Sequence, residues 1–282
     1  MLANVNIIKL AFDALEHASM KENFSDFMNQ LIEKAVKFWE FRDFDSAIEK
    51  CNEFIEWNSE IQFVHLFKAM IYSSAKDFYK SQKIVDGIDK DTLDEYELKI
   101  SLFISSINEF YTHKFQDALN TCNEFLKLDN GTFTEIHIIR GFANASLESH
   151  KEAIKDFKIA LKDTDQENAI KANLAYSYLR NKNHLKALMI FRKISKHYPN
   201  HWKVQYNTGL SYFKFALFKK AMPFLNKTEE LKSDFSGTYL TRGFIYLKKG
   251  KKELAHKDFL KAKELGAERN YEIIMRKYYH KY

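Results

Sequence analysis

The chain has 282 residues, of which 45% are hydrophobic and 15% aromatic, with two prolines, eight glycines and a formal net charge of +6. So few chain breakers argue against a loop-rich or all-β fold, and abundant Ala, Leu, Lys and Glu favour helix. No stretch approaches the roughly 20 apolar residues of a membrane span.

The first predicted element is an amphipathic helix over residues 4–19, with Val5, Ile8, Phe12 and Leu15 on one face. Lys9, Asp13 and Glu16 interrupt its apolar run, so it does not read as a secretory signal. A cytoplasmic protein is expected, and the sequons at Asn23, Asn130, Asn144 and Asn226 are then chance. Segment 1–27 reads as an N-terminal capping helix that covers the apolar end of a helical stack.

From residue 28 the chain is periodic. A small residue recurs at Ala47, Ser81, Ala118, Ala153, Ala187, Ala221 and Ala255, at intervals of 34, 37, 35, 34, 34 and 34 residues. Twelve positions earlier stands a second one each time: Ala35, Ala69, Ser106, Gly141, Ala175, Gly209 and Gly243. Repeats of this length are supersecondary units that stack on one another. The units run 28–61, 62–98, 99–133, 134–167, 168–201, 202–235 and 236–269.

The seventh unit shows the internal design. Tyr239, Gly243 and Tyr246 mark one helix face, Gly250-Lys251 a turn, and Ala255, Phe259 and Ala262 a second face. Small residues at the two landmarks let the paired helices approach closely. The register is least marked in the second unit, where Ser81 replaces Ala. Cys51 and Cys122 lie in identical Cys-Asn-Glu-Phe tetrapeptides two units apart, which predicts buried thiols and no disulfide. Pro223 is expected in the first turn of a helix, where its missing N–H costs little. Segment 270–282, with Tyr271, Ile274 and Tyr278, reads as a C-terminal capping helix.

These units resemble the tetratricopeptide repeat, whose pattern is W-x2-L-G-x2-Y…A-x3-F…P. The Tyr position holds Phe38, Tyr72, Glu109, Asn144, Tyr178, Tyr212 and Tyr246. The later Phe position holds Cys51, Val85, Cys122, Phe157, Phe191, Leu225 and Phe259, and Pro199 falls at the Pro position of the fifth unit. The Trp position departs, with Leu31, His65, Leu102, His137, Lys171, Gln205 and Tyr239. The resemblance covers residues 28–269 and is strongest in the last three units. It implies an all-α, right-handed superhelical solenoid of antiparallel helix pairs.

The resemblance also implies that the first helix of each unit lines a concave groove. In units two to four the inward positions hold Phe63, Leu66, Met70, Ile100, Phe103, Ile107, Phe110, Ile138 and Phe142. These are either core, the favoured reading, or an open apolar groove that the N-terminal helix could fill. In units five to seven the inward positions give the candidate peptide-binding set: Asn173, Tyr176, Arg180, Lys203, Tyr206, Asn207, Phe213, Lys214, Phe244 and Lys248. Asn173 and Asn207 would hold a peptide backbone, the cations would attract acidic groups, and the aromatics would supply contact area. The carboxylate clamp of this family, which grips acidic chaperone tails, is absent. Its Lys and Asn positions here hold Ala172 and Tyr206, and Tyr176 and Leu210.

Charge is unevenly spread. Residues 1–133 carry 14 Lys/Arg against 23 Asp/Glu, whereas residues 134–282 carry 30 against 15. No acid lies between Glu167 and Glu229, a stretch with twelve Lys/Arg. Nothing nearby in sequence neutralises that potential. The first candidate partner is an acidic protein or peptide. Nucleic acid ranks second, supported by the interleaved Tyr176, Tyr178, Trp202, Tyr206 and Tyr212, but no base-reading pair recurs per unit. The third reading is a homo-oligomer joined head to tail, acidic end to basic end.

Catalysis is not indicated. No Gly-rich phosphate loop, C-x-x-C or H-E-x-x-H occurs. Ser73-Ser74-Ala75-Lys76 matches S-x-x-K without its companion motifs. His197 and His201 are four apart, but Pro199 breaks the helix between them. His65 and His137 fall singly on first helices, packed or exposed. The sequence thus predicts a non-catalytic binding scaffold or adaptor, with no metal and no cofactor.

Overall fold

Residues 26–129, 133–162 and 167–279 are described in the structure, a computed structural model. The amphipathic segment at residues 4–19 lies outside them. Among the described residues the regular structure is helical: fifteen α-helices and one 3-10 turn, Lys90–Thr92. The helices come in pairs: α1 Asp26–Glu40 with α2 Phe44–Trp57, α3 Gln62–Ser74 with α4 Phe78–Asp86, α5 Glu95–Tyr111 with α6 Phe115–Leu128, and α7 Glu135–Ser146 with α8 His150–Ala160. The later pairs are α9 Glu167–Arg180 with α10 His184–His197, α11 Trp202–Lys214 with α12 Phe218–Leu231, and α13 Ser236–Lys248 with α14 Lys252–Glu264. A last helix, α15, spans Glu268–Tyr278.

The chain divides into two units, residues 1–170 and 171–282. In the first, each helix packs on the next, and the first helices α3, α5 and α7 also pack on one another. In the second, α10 packs on α11, α11 on α12, α12 on α13 and α13 on α14, and α11 also meets α13. First helices therefore form an inner layer within each unit, as stacked helix pairs require. Helix α15 packs on α14 and buries Ile274 against Ala255 and Phe259.

Seven turns join the paired helices, and all close in the same way. One residue per turn takes a left-handed conformation: Arg42, Lys76, His113, Glu148, Lys182, Ala216 and Gly250, with φ between 55° and 73°. The next residue donates its N–H to a carbonyl five residues back, as in Asp43→Phe38, Asn183→Tyr178 and Lys251→Tyr246 at 2.8–2.9 Å. This is the Schellman closure, which satisfies the last carbonyls of the first helix. Only the seventh turn supplies the glycine that the conformation favours. Three second helices begin on a capping side chain, with Asp43, Asp77 and Asn183 accepting from the backbone N–H three residues on.

The seams hold the small residues. Ala47, Ala118, Ala153, Ala187, Ala221 and Ala255 are fully buried. Ser81 is as well, and its hydroxyl donates to the Ala69 carbonyl at 2.8 Å, which fixes the register of the second pair. A Cβ built on Gly141 would lie 2.8 Å from the Phe157 ring, and one on Gly209 3.1 Å from Leu225. Cys51 and Cys122 are free and buried, and burial pushes both thiols up to about 12. The inward residues Phe63, Leu66, Met70, Ile100, Phe103, Ile107 and Ile138 are core, each at most 4% exposed. Phe110 and Phe142 are half-buried and pack on each other, 5.9 Å between ring centroids.

Two expectations are corrected. Pro223 is not in a first turn. It is the sixth residue of α12, inside the helix, and removes a backbone bond to the carbonyl of exposed Lys219, which water can reach. His137 is not a single packed or exposed ring. It belongs to a buried polar network around Asp156.

In that network His137 Nδ1 lies 2.9 Å from Asp156 Oδ1, and Arg140 Nη2 donates to the same oxygen at 2.7 Å. Asn144 donates to Oδ2 at 3.0 Å. Burial alone would raise the Asp156 carboxyl, but the hydrogen bonds from His137 and Arg140 outweigh it and hold it below the ordinary value. Arg140 also reaches back to Asn123 of the preceding pair at 3.0 Å. The same clamp recurs in the second unit. Arg242 donates to Asp258 at 2.8 Å, to Glu229, and to Asn226 at 3.2 Å. Lys68 and Asn52 repeat the link between pairs at 2.6 Å. The duplicated Cys-Asn-Glu-Phe segment thus supplies a seam thiol and a linking amide.

Candidate functional site

All ten candidate residues lie on the first helices α9, α11 and α13: three on α9, five on α11 and two on α13. They group at two ends. Toward the helix starts are Asn173, Tyr176, Lys203, Tyr206 and Asn207. Toward the helix ends are Arg180, Phe213, Lys214, Phe244 and Lys248. Lys203 and Lys214 are eleven residues apart on α11, roughly 16 Å along its axis.

Tyr206 centres the first group. Its ring stands edge-on to Phe235, centroids 4.8 Å apart, and Phe235 also meets Trp202 at 4.9 Å. Its hydroxyl lies 3.5 Å from Thr241 Oγ1 on α13. Burial raises the Tyr206 phenol above its usual value, and nearby Tyr176 adds to this. Gly237 makes room, since a Cβ there would lie 3.0 Å from the Tyr206 hydroxyl. Lys203 sits 5.5 Å from the Trp202 ring centre. Asn207 is half-buried, and its side chain has no hydrogen-bond partner among the described residues. Asn173 is half-buried and Tyr176 is exposed.

The second group is more enclosed. Phe213 packs on Phe218 at 5.9 Å. Phe244 packs on Phe259 at 5.2 Å and meets Tyr278 of α15 at 6.5 Å, so the last helix covers part of it. Arg180, Lys214 and Lys248 are exposed and occupy the last turns of their helices. A cation there complements the negative end of the helix dipole, which gives these three a structural reason to be basic. Lys203 lacks that reason: it is exposed in the first turn of α11, which holds no acid and where a cation opposes the helix dipole.

Residues 236–266, spanning most of α13 and α14, match the sequence model of the tetratricopeptide repeat. The helical fold agrees. A tetratricopeptide repeat protein from Parabacteroides merdae ATCC 43184 superposes with a TM-score of 0.56 over 89% of this chain and 98% of its own, at 19% identity. Residues 236–266 are a tetratricopeptide repeat by sequence, and the chain has the helical-repeat fold of tetratricopeptide-repeat proteins. MamA 41-end from Desulfovibrio magneticus RS-1 superposes with a TM-score of 0.54 at 20% identity, over 63% of this chain and 97% of its own. MamA MSR-1 gives 0.52 at 17%, over 61% and 98%. At such identities the likeness is one of fold. No curated protein matches the sequence.

Several residues that sequence placed near the site are withdrawn from it. Tyr178 and Tyr212 are 7% and 9% exposed, which removes them as stacking platforms. His197 ends α10, and His201 lies beyond the intervening loop. No group of three metal-ligating side chains occurs among the described residues. No described helix is long and apolar enough to cross a membrane. The clamps at Arg140–Asp156 and Arg242–Asp258 escaped sequence reading. Their signal was an Arg and an Asp sixteen residues apart in both the fourth and seventh repeats.

Proposed function

We propose that the second unit binds an acidic protein segment along its first helices, and that the chain is a non-catalytic scaffold or adaptor of the cytoplasm. The observation that carries the reading is the start of α11, where exposed Lys203 stands beside half-buried Tyr206 and an Asn207 amide with no hydrogen-bond partner among the described residues. Tyr206 supplies buried contact area at low entropic cost, and Asn207 can both donate to and accept from an extended backbone. Lys203 supplies charge that no carboxylate of the described residues neutralises. Lys214 at the far end of α11 extends the same sign. Nucleic acid is the weaker reading, because two of the five interleaved aromatics are buried.

The test is fluorescence anisotropy of a labelled Asp/Glu-rich peptide containing tyrosine. Asn173→Ala combined with Asn207→Ala weakens binding without changing the thermal unfolding of the chain. Equal affinity for the double variant removes the groove from the proposal, and binding of homopolymeric RNA in place of the peptide overturns it.

A further inference from the structure

The outward faces of the second helices carry a different pattern. On α2 the exposed positions Asp45, Glu49, Asn52 and Glu56 recur at i, i+4, i+7 and i+11, so they share one helix face. The same repeat positions on α10 hold Leu185, Met189, Arg192 and Lys196, all exposed. Leu185 and Met189 are 59% and 56% exposed. In every other second helix the first two of these positions include at least one charged or amide side chain: Asp45 and Glu49, Tyr79 and Lys83, Gln116 and Asn120, Lys151 and Lys155, Lys219 and Pro223, Glu253 and Lys257. The repeat thus supplies its own controls. Packing within the chain does not require Leu and Met there.

The two faces are complementary. Asp45, Glu49 and Glu56 form no ion pair among the described residues, nor do Arg192, Lys193 and Lys196. Trp57, 69% exposed, flanks the C-terminal end of the acidic face, and the basic face begins on the exposed Leu and Met. We propose that α2 of one copy packs antiparallel on α10 of a second copy. Lys196 then faces Asp45 and Arg192 faces Glu49, while the side-chain stems of Glu56 and Asn52 lie over Leu185 and Met189 and Trp57 flanks that end of the contact. The first copy keeps its α10 face unused and the second keeps its α2 face, so the contact is head-to-tail and can propagate. One helix on one helix covers less than the roughly 1,200 Å² of a stable interface. Association is therefore weak, concentration-dependent and suppressed by salt. This surface is separate from the inner face of α11, so its failure leaves the peptide proposal standing.

Sedimentation velocity of the full chain tests it at low salt over a range of concentrations. Wild type shows a rising sedimentation coefficient with concentration. Asp45→Lys with Glu49→Lys abolishes the rise, and so does Arg192→Glu with Lys196→Glu, while circular dichroism shows both variants folded. Each variant alone carries two faces of one sign, and the two variants carry opposite signs. An equimolar mixture of them therefore associates again, in alternation, and so does a chain with all four reversals. A wild type that stays monomeric overturns the proposal, as does a single reversal that assembles like wild type or a mixture that stays monomeric. Capture of anionic vesicles by α10 without self-association also overturns it.

Discussion

Gly243 and Phe259 meet across the seam of α13 and α14, where a Cβ on the glycine would lie 2.5 Å from the Phe259 ring. Both are buried, and ring carbons at that distance must move. Gly243→Ala is expected to destabilise the second unit by about 1–3 kcal/mol through overpacking. Shrinking the partner should offset it: Gly243→Ala with Phe259→Leu recovers part of the loss. Thermal denaturation of the single and double variants measures the coupling. Additive losses would show that the two side chains do not share the seam.

The left-handed turn residue predicts stabilisation elsewhere. Ala216 holds φ 55° with a Cβ that disfavours this region. Ala216→Gly is expected to gain on the order of 0.5–1 kcal/mol, after the added chain entropy of glycine is counted. Gly250→Ala in the equivalent turn should lose a similar amount. Urea unfolding reads both, and the two signs must be opposite.

The helix-turn-helix plan was legible because seam residues obey a volume constraint that shows directly in sequence. Gly141, Gly209 and Gly243 have Phe157, Leu225 and Phe259 sixteen residues on, whereas Ala35, Ala69 and Ser106 have Cys51, Val85 and Cys122 there. Ala175 with Phe191 breaks the correlation, so it is a tendency of the seam. The left-handed turns were not legible, since tertiary packing holds six non-glycine residues there and only Gly250 announces the conformation. The same gap hid the depth of Pro223. Helix α12 starts at Phe218, directly after the turn at Ala216, so a proline two residues past the seam Ala221 already lies beyond the first turn. The candidate site residues on first helices were proposed by resemblance alone. Their partners, such as Thr241 and Phe235 around Tyr206, come from other helices and loops that spacing does not connect.

Asp156 links stability to pH. Its side chain is 2% exposed, and His137 and Arg140 hold its carboxyl below the ordinary value. The unfolded carboxyl titrates at about 3.9. The network's contribution is therefore complete above that value and is lost as pH falls through the lower folded value. Asp156→Asn is expected to cost about 3–5 kcal/mol at neutral pH, because Arg140 is left without its buried partner. The difference between wild type and variant should narrow below pH 4. Chemical denaturation at pH 7 and pH 3 checks this, and a difference that does not change with pH would assign Asp156 a packing role only.

Lys203 separates structural from binding demands. A cation in the first turn of α11 opposes the positive end of the helix dipole, so replacing it with an acid should raise helix stability. Under the binding proposal the same replacement places a negative charge where an acidic segment docks. Lys203→Glu is therefore expected to raise the melting temperature slightly while weakening peptide affinity several-fold at low salt, with the affinity difference shrinking as salt is added. Lys214→Glu should weaken binding too, but with a loss of stability, since Lys214 complements the negative end of the same helix. Opposite stability changes with a shared loss of affinity are the signature of cations that act on a ligand. If Lys203→Glu changes stability alone, the start of α11 is not where the segment binds.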